Sequence, residues 1–155
     1  MKLPDRIQRL NECTRRLHDR HGQKRSRAYL QSNLSSAILG TAITDKISKT
    51  RRTAIHLLHY WDKTNALRLL AQVLASDPAS DVRHEAAFVL LTSNSPKAVQ
   101  LLKSAIARDS STLVQHEAIE ALGDLVGQKA KRFLARYRKS ADPLIRATVA
   151  MVLDE

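Results

Sequence analysis

Apolar positions recur along this chain at helical spacing, and one short pattern returns four times. Thr50–Leu58, Val82–Leu90, Val114–Leu122 and Ile145–Leu153 align without gaps, their starts 32, 32 and 31 residues apart. Each carries a small or apolar residue at its fifth position and Leu at its ninth, the i, i+4 recurrence of a buried helix face. Between them the same periodicity predicts second amphipathic helices over Asn65–Ala75, Pro96–Ala107 and Lys129–Arg138. Turn formers punctuate the series. Asp77-Pro78, Asp109-Ser110-Ser111 and Asp142-Pro143 precede repeated helices, and Ser95-Pro96 opens an intervening one. Gly123 and Gly127 fall where a helix end or tight reversal is expected.

Two helices in a period of about 32 residues describe an all-α fold, a short α-solenoid of about four helical hairpins that resemble HEAT repeats. The repeats account for residues 46–155. Residues 1–45 fit the pattern poorly and are expected to form a helical extension or cap, with helices over Ile7–Leu17 and Tyr29–Ile43 and a loop between.

Composition agrees with helix: the chain has only 4 Gly, 4 Pro and 4% aromatic residues, so Leu, Ile, Val and Ala must build the core. Charge changes the picture more. Of the net +11, residues 1–50 supply 11 Lys/Arg against 4 Asp/Glu, whereas residues 51–155 hold 15 against 11. Arg15, Arg16, Arg20, Lys24, Arg25 and Arg27 are the densest part, a candidate surface for nucleic acid or an acidic partner. The repeats themselves show no basic stripe at one fixed helical position. A single cysteine, Cys13, excludes an intrachain disulfide and favours a reducing compartment, so a cytoplasmic protein is expected. No run approaches the 18 apolar residues of a membrane span, and no apolar signal segment opens the chain. Phosphate-cradling Gly-rich loops and Ser or Cys nucleophile motifs are missing too.

The candidate chemistry sits in two His-Glu dyads, His84-Glu85 and His116-Glu117, at positions three and four of adjacent repeats. Equivalent positions on successive parallel helices line up at roughly the 8–10 Å helix spacing, within reach of side chains this long. Two imidazoles with carboxylates suit non-haem iron, and zinc accepts the same donors. Duplication of a repeat would also place the dyads in register, but the flanking repeats carry Arg52-Thr53 and Ala147-Thr148 instead. His56 and His59, near Trp61, read as packed or surface histidines rather than ligands, and His18-x-x-His21 in the basic stretch could bind zinc only with partners the sequence does not show.

The segments Val82–Leu90 and Val114–Gly123 resemble the His-Glu motifs of deoxyhypusine hydroxylase, and Ala141–Asp154 is similar to the last repeat of that enzyme's halves. The resemblance covers residues 50–155. It implies a HEAT-repeat di-iron monooxygenase that hydroxylates a lysine-derived side chain on a translation factor with molecular oxygen. By that resemblance His84, Glu85 and His116 are iron ligands, and Glu117 is a ligand or orients one. Leu91 departs from the glycine usual at that place. The family has two facing halves and this chain has one, so the resemblance implies one Fe2+ per chain and a homodimer that rebuilds a two-iron centre. The alternative is a non-enzymatic adaptor that binds protein or nucleic acid through the basic N-terminal region.

Overall fold

Each repeated helix starts from the same local device. The amides of Ile47, Ala79 and Ser111 donate to the carboxylates of Asp45, Asp77 and Asp109, two residues earlier, at 2.8, 2.9 and 2.9 Å. A side chain six residues past each Asp, Arg51, Arg83 or Gln115, then donates to that Asp's carbonyl at 2.6, 2.8 and 2.8 Å. The turn is thereby closed from both sides, which satisfies groups that a helix start leaves without partners. In the last repeat Ser140 takes the place of the Asp. Its Oγ accepts the Asp142 amide at 3.3 Å, and Arg146 donates to its carbonyl at 2.7 Å. Asp142 adds a cap of its own, accepting from the amides of Leu144 and Ile145 and from the Thr112 hydroxyl.

The computed structural model describes residues 36–60 and 63–154, together with Gln8, Leu10 and Glu12. Among these the elements are α- and 3-10 helices, with no strand. The chain divides into two compact units, 1–69 and 70–155. In the first, α1 (Ser36–Ile43) packs on α2 (Ser48–Leu57), with Leu39, Ile55 and Leu57 buried. The division falls inside α3 (Lys63–Ser76).

The second unit contains α4 (Ser80–Leu90), α5 (Pro96–Arg108), α6 (Thr112–Val126), α7 (Lys131–Leu134) and α8 (Pro143–Asp154). Helices α4, α6 and α8 lie side by side as one layer, while α5 packs chiefly on α6 and α7 packs beside α8. Their shared core is aliphatic: Val82, Leu90, Leu102, Ile119, Leu122, Leu134 and Val149 are almost wholly buried. Truncating one such Leu to Ala costs about 2–5 kcal/mol. Helix α5 begins as its sequence requires, with Pro96 in the first turn and the Ser95 hydroxyl accepting the Ala98 amide at 3.1 Å.

Two expectations need correction. Lys129–Arg138 is not one helix but a 3-10 turn (Gly127–Ala130), the single turn α7, and a second 3-10 turn (Ala135–Tyr137). Gly127, at φ 50°, stops α6, and the six Lys/Arg that follow repel one another at helical spacing with no acid to offset them. Gly123 does not end a helix: it lies inside α6, where an added Cβ would come within 2.5 Å of Val152 Cγ1. Glycine there lets α6 and α8 approach. Of the helix expected over Ile7–Leu17, Gln8, Leu10 and Glu12 are helical and Leu10 is buried, and the rest lies outside the described residues. So does 29–35 of the second expected N-terminal helix.

Candidate functional site on the face of α4, α6 and α8

Side chains at i, i+3, i+4 and i+7 share one helix face. On α4 these are Asp81, His84, Glu85 and Phe88; on α6, Leu113, His116, Glu117 and Glu120; on α8, Leu144, Ala147, Thr148 and Met151. Direct contacts show that the three faces adjoin. His84 Nε2 lies 3.1 Å from Glu117 Oε2, and His116 Nδ1 lies 2.7 Å from the Thr148 hydroxyl. The rule is that position three of one repeat meets position four of the next. His116 Nε2 also stands 3.5 Å from Glu120 Oε2 on its own helix.

The Thr148 hydroxyl donates its proton to the Leu144 carbonyl at 2.8 Å. It therefore accepts from His116, which fixes the imidazole proton on Nδ1. Nε2 is left as a lone pair, or as a second N–H donor in the imidazolium form, facing Glu120.

Electrostatics sets this face apart. Burial pushes the Glu117 carboxyl above the usual carboxylate range, and the charges of Glu120, Glu85 and Asp124 push the same way, against His116. Lys and Arg are missing from α6 altogether, and Arg83 and Arg146 on its neighbours are turned to carbonyls at the helix starts. Negative potential thus gathers here on a chain of net charge +11. Around it Phe88, Leu113, Leu144 and Met151 are exposed.

The dyad residues do not come together as one donor set. His84 contacts Glu117 and His116 contacts Glu120, and Glu85 is buried, only 7% exposed, with polar contacts of its own. Among the described residues no three His, Cys, Asp or Glu side chains group closely enough to hold a metal ion. The described residues of one chain do not by themselves make up an iron centre. Thr148, the partner of His116, was not anticipated from the sequence, although its place one repeat on from a dyad was the available signal. The basic residues Arg15, Arg16, Arg20, Lys24, Arg25 and Arg27 lie outside the described residues. A separate groove of about 430 Å³ lies near the end of α5, lined by Leu74, Arg83, Leu101 and Arg108 among others. It is remote in character from this chemistry. No described helix is long and apolar enough to cross a membrane.

A family model described as HEAT repeats matches residues 36–123 and 67–154. The chain belongs to the HEAT-repeat family. Comparison with curated proteins gives no match. The doubled match fits the repeat phase, since the two segments together cover all four repeated helices. In this HEAT-repeat protein the Asp turns and the His ladder are therefore properties of one repeating frame, read at different positions.

Proposed function

We propose that this HEAT-repeat protein is a binding scaffold whose working surface is the α4–α6–α8 face, and that its partner enters with a cationic side chain. The observation that carries this is the raised Glu117 carboxyl: three further acids crowd a partly buried site, so a cation placed there relieves their repulsion. Phe88, Leu113, Leu144 and Met151 around it supply apolar anchorage of the kind interface centres use. A fluorescent peptide that alternates Lys with Leu at helical spacing serves as probe for the full chain. Binding at low salt is expected to weaken at least fivefold in Glu117→Gln/Glu120→Gln and to hold in Lys97→Gln. Equal binding by wild type and the double variant removes this reading.

The second reading is an iron-dependent hydroxylase resembling one half of deoxyhypusine hydroxylase. It is favoured by the His116 tautomer, because a histidine whose Nδ1–H is held by a neighbour offers Nε2 as a ligand. The described residues of one chain lack a full donor set, so this reading calls for a homodimer whose two faces meet. Bound iron would supply oxygen activation, and the acids of this face would hold the lysine-derived substrate. Metal analysis together with light scattering on freshly purified protein tests it. About one iron per chain in a dimer supports the reading, and a metal-free monomer that refuses added ferrous iron removes it.

A further inference from the structure

The modest charge balance of residues 51–155 conceals a sharp separation. Helix α5 and residues 127–140 together hold nine Lys/Arg and no Asp/Glu, while all 11 acids of residues 51–155 lie elsewhere. These two segments form the layer behind α6 and α8. They also meet one another. The Phe133 ring has Lys103 Nζ of α5 at 5.3 Å from its centroid and the Arg136 guanidinium at 4.4 Å, and Tyr137 packs against it at 5.7 Å. One aromatic side chain thereby joins the cations of both segments into a single patch and holds two of them in place. Arg132, Arg136 and Arg138 are exposed, and among the described residues none of the nine cations pairs with a carboxylate.

We propose that this patch binds the phosphate backbone of nucleic acid, independently of base sequence. Phosphate contacts need only dense, unneutralised Lys/Arg, and counterion release supplies the affinity. A protein partner would need buried apolar anchors, and stable attachment to a membrane would need apolar side chains to insert beside the charge. The exposed large apolar residues, Ile47, Phe88, Leu113, Leu144 and Met151, all lie outside the patch. The surface is distinct from the α4–α6–α8 face, so the proposal stands apart from the reading given above.

The test is fluorescence anisotropy of the full chain with a labelled oligonucleotide of mixed sequence, single-stranded and duplex, across a salt series. Wild type is expected to bind both without sequence preference. Arg132→Gln/Arg136→Gln/Arg138→Gln is expected to weaken binding at least tenfold and to lower the log–log salt slope by about three. Arg15→Gln/Arg16→Gln/Arg25→Gln is the control for the other basic segment and is expected to retain most of the binding. Circular dichroism and urea curves show whether each variant is folded, and Lys139→Gln/Arg138→Gln gives a milder second variant. Three outcomes overturn the proposal: no binding by wild type at low salt, full binding by both patch variants, or equal binding to anionic vesicles that the patch variants abolish.

Discussion

Arg83 and His84 are consecutive on α4, and each reaches toward a carboxylate of the following repeat, yet the two carboxylates respond in opposite directions. Arg83 grips Asp109 with two parallel bonds, Nε to Oδ2 at 2.8 Å and Nη2 to Oδ1 at 2.9 Å, and both side chains are nearly covered. Burial pushes the Asp109 carboxyl up, but the Arg83 hydrogen bond, the Ser111 amide and the Arg83 charge outweigh it and hold the group below its usual range. Glu117 has His84 at 3.1 Å and is nonetheless pushed up, because burial and three neighbouring acids exceed what His116 returns. One step along a helix rotates a side chain by about 100°. Here that step passes from a charge-matched seam to a face with negative charge in excess. The seam is finished; the face lacks a cation.

The largest expected effect comes from breaking the seam. Asp109→Ala removes two bonds to Arg83 and the turn to Ser111 together, leaving a nearly covered guanidinium without its carboxylate. A loss of about 3 kcal/mol is expected, at the low end for a buried pair because Arg83 keeps some solvent. Urea unfolding near neutral pH measures it. The sign with pH follows from the depressed carboxyl. Its contribution is fully present above the unfolded Asp range, near 3.9, and is lost as pH falls through the lower folded value. The gap between wild type and Asp109→Ala should therefore narrow in strong acid. A gap that stays constant there would mean that the ion pair contributes nothing.

The same seam shows what a sequence can disclose. Repeat phase was legible because its causes are local: apolar i, i+4 spacing and an Asp ahead of each helix. The ladder even ends legibly, since Gln115 and Ser140 stand where another Arg–Asp pair would be, and charge disappears from both places at once. The dyads were legible as residue types on one face. Their partners were not. Packed helices are offset, so His84 meets Glu117 of the next repeat, and His116 meets a threonine. The break at 127–137 was hidden because the apolar pattern there still has helical period, while backbone at Gly127 and repulsion among cations decide otherwise. Lys103 and Arg136 share a ring only through tertiary packing, which no fixed repeat position announces.

A middle-sized effect tests whether the open face depends on close packing behind it. Gly123→Ala places a methyl group against Val152, whose branched side chain has few other rotamers. A loss of about 1–2 kcal/mol is expected from overpacking. The change should also push α8 from α6 and lengthen the 2.7 Å contact of His116 with Thr148. Imidazole nitrogen shifts of His116 by NMR would report it. Unchanged shifts in a destabilised variant would separate the ladder from the packing.

The smallest effect has the opposite sign to the first, which is why it sharpens the comparison most. Because the Glu117 carboxyl is raised, the folded protein keeps that proton over a range where the unfolded chain has released it. Stability therefore falls as pH rises from the ordinary Glu range through the folded value, and it stays lower at neutral pH. Glu117→Gln removes that slope while its amide can still hydrogen-bond His84 Nε2, so lost charge is measured more than lost contact. A gain below about 1 kcal/mol is expected near neutral pH, kept small by solvent screening of a half-buried group. It should vanish below the ordinary carboxylate range. Asp109→Ala and Glu117→Gln would then differ from wild type in opposite directions at neutral pH and converge on it in acid. If Glu117→Gln instead destabilises at neutral pH, the His84–Glu117 contact is a structural rung like the one beside it, and the excess negative charge proposed to receive a cation is already compensated within the fold.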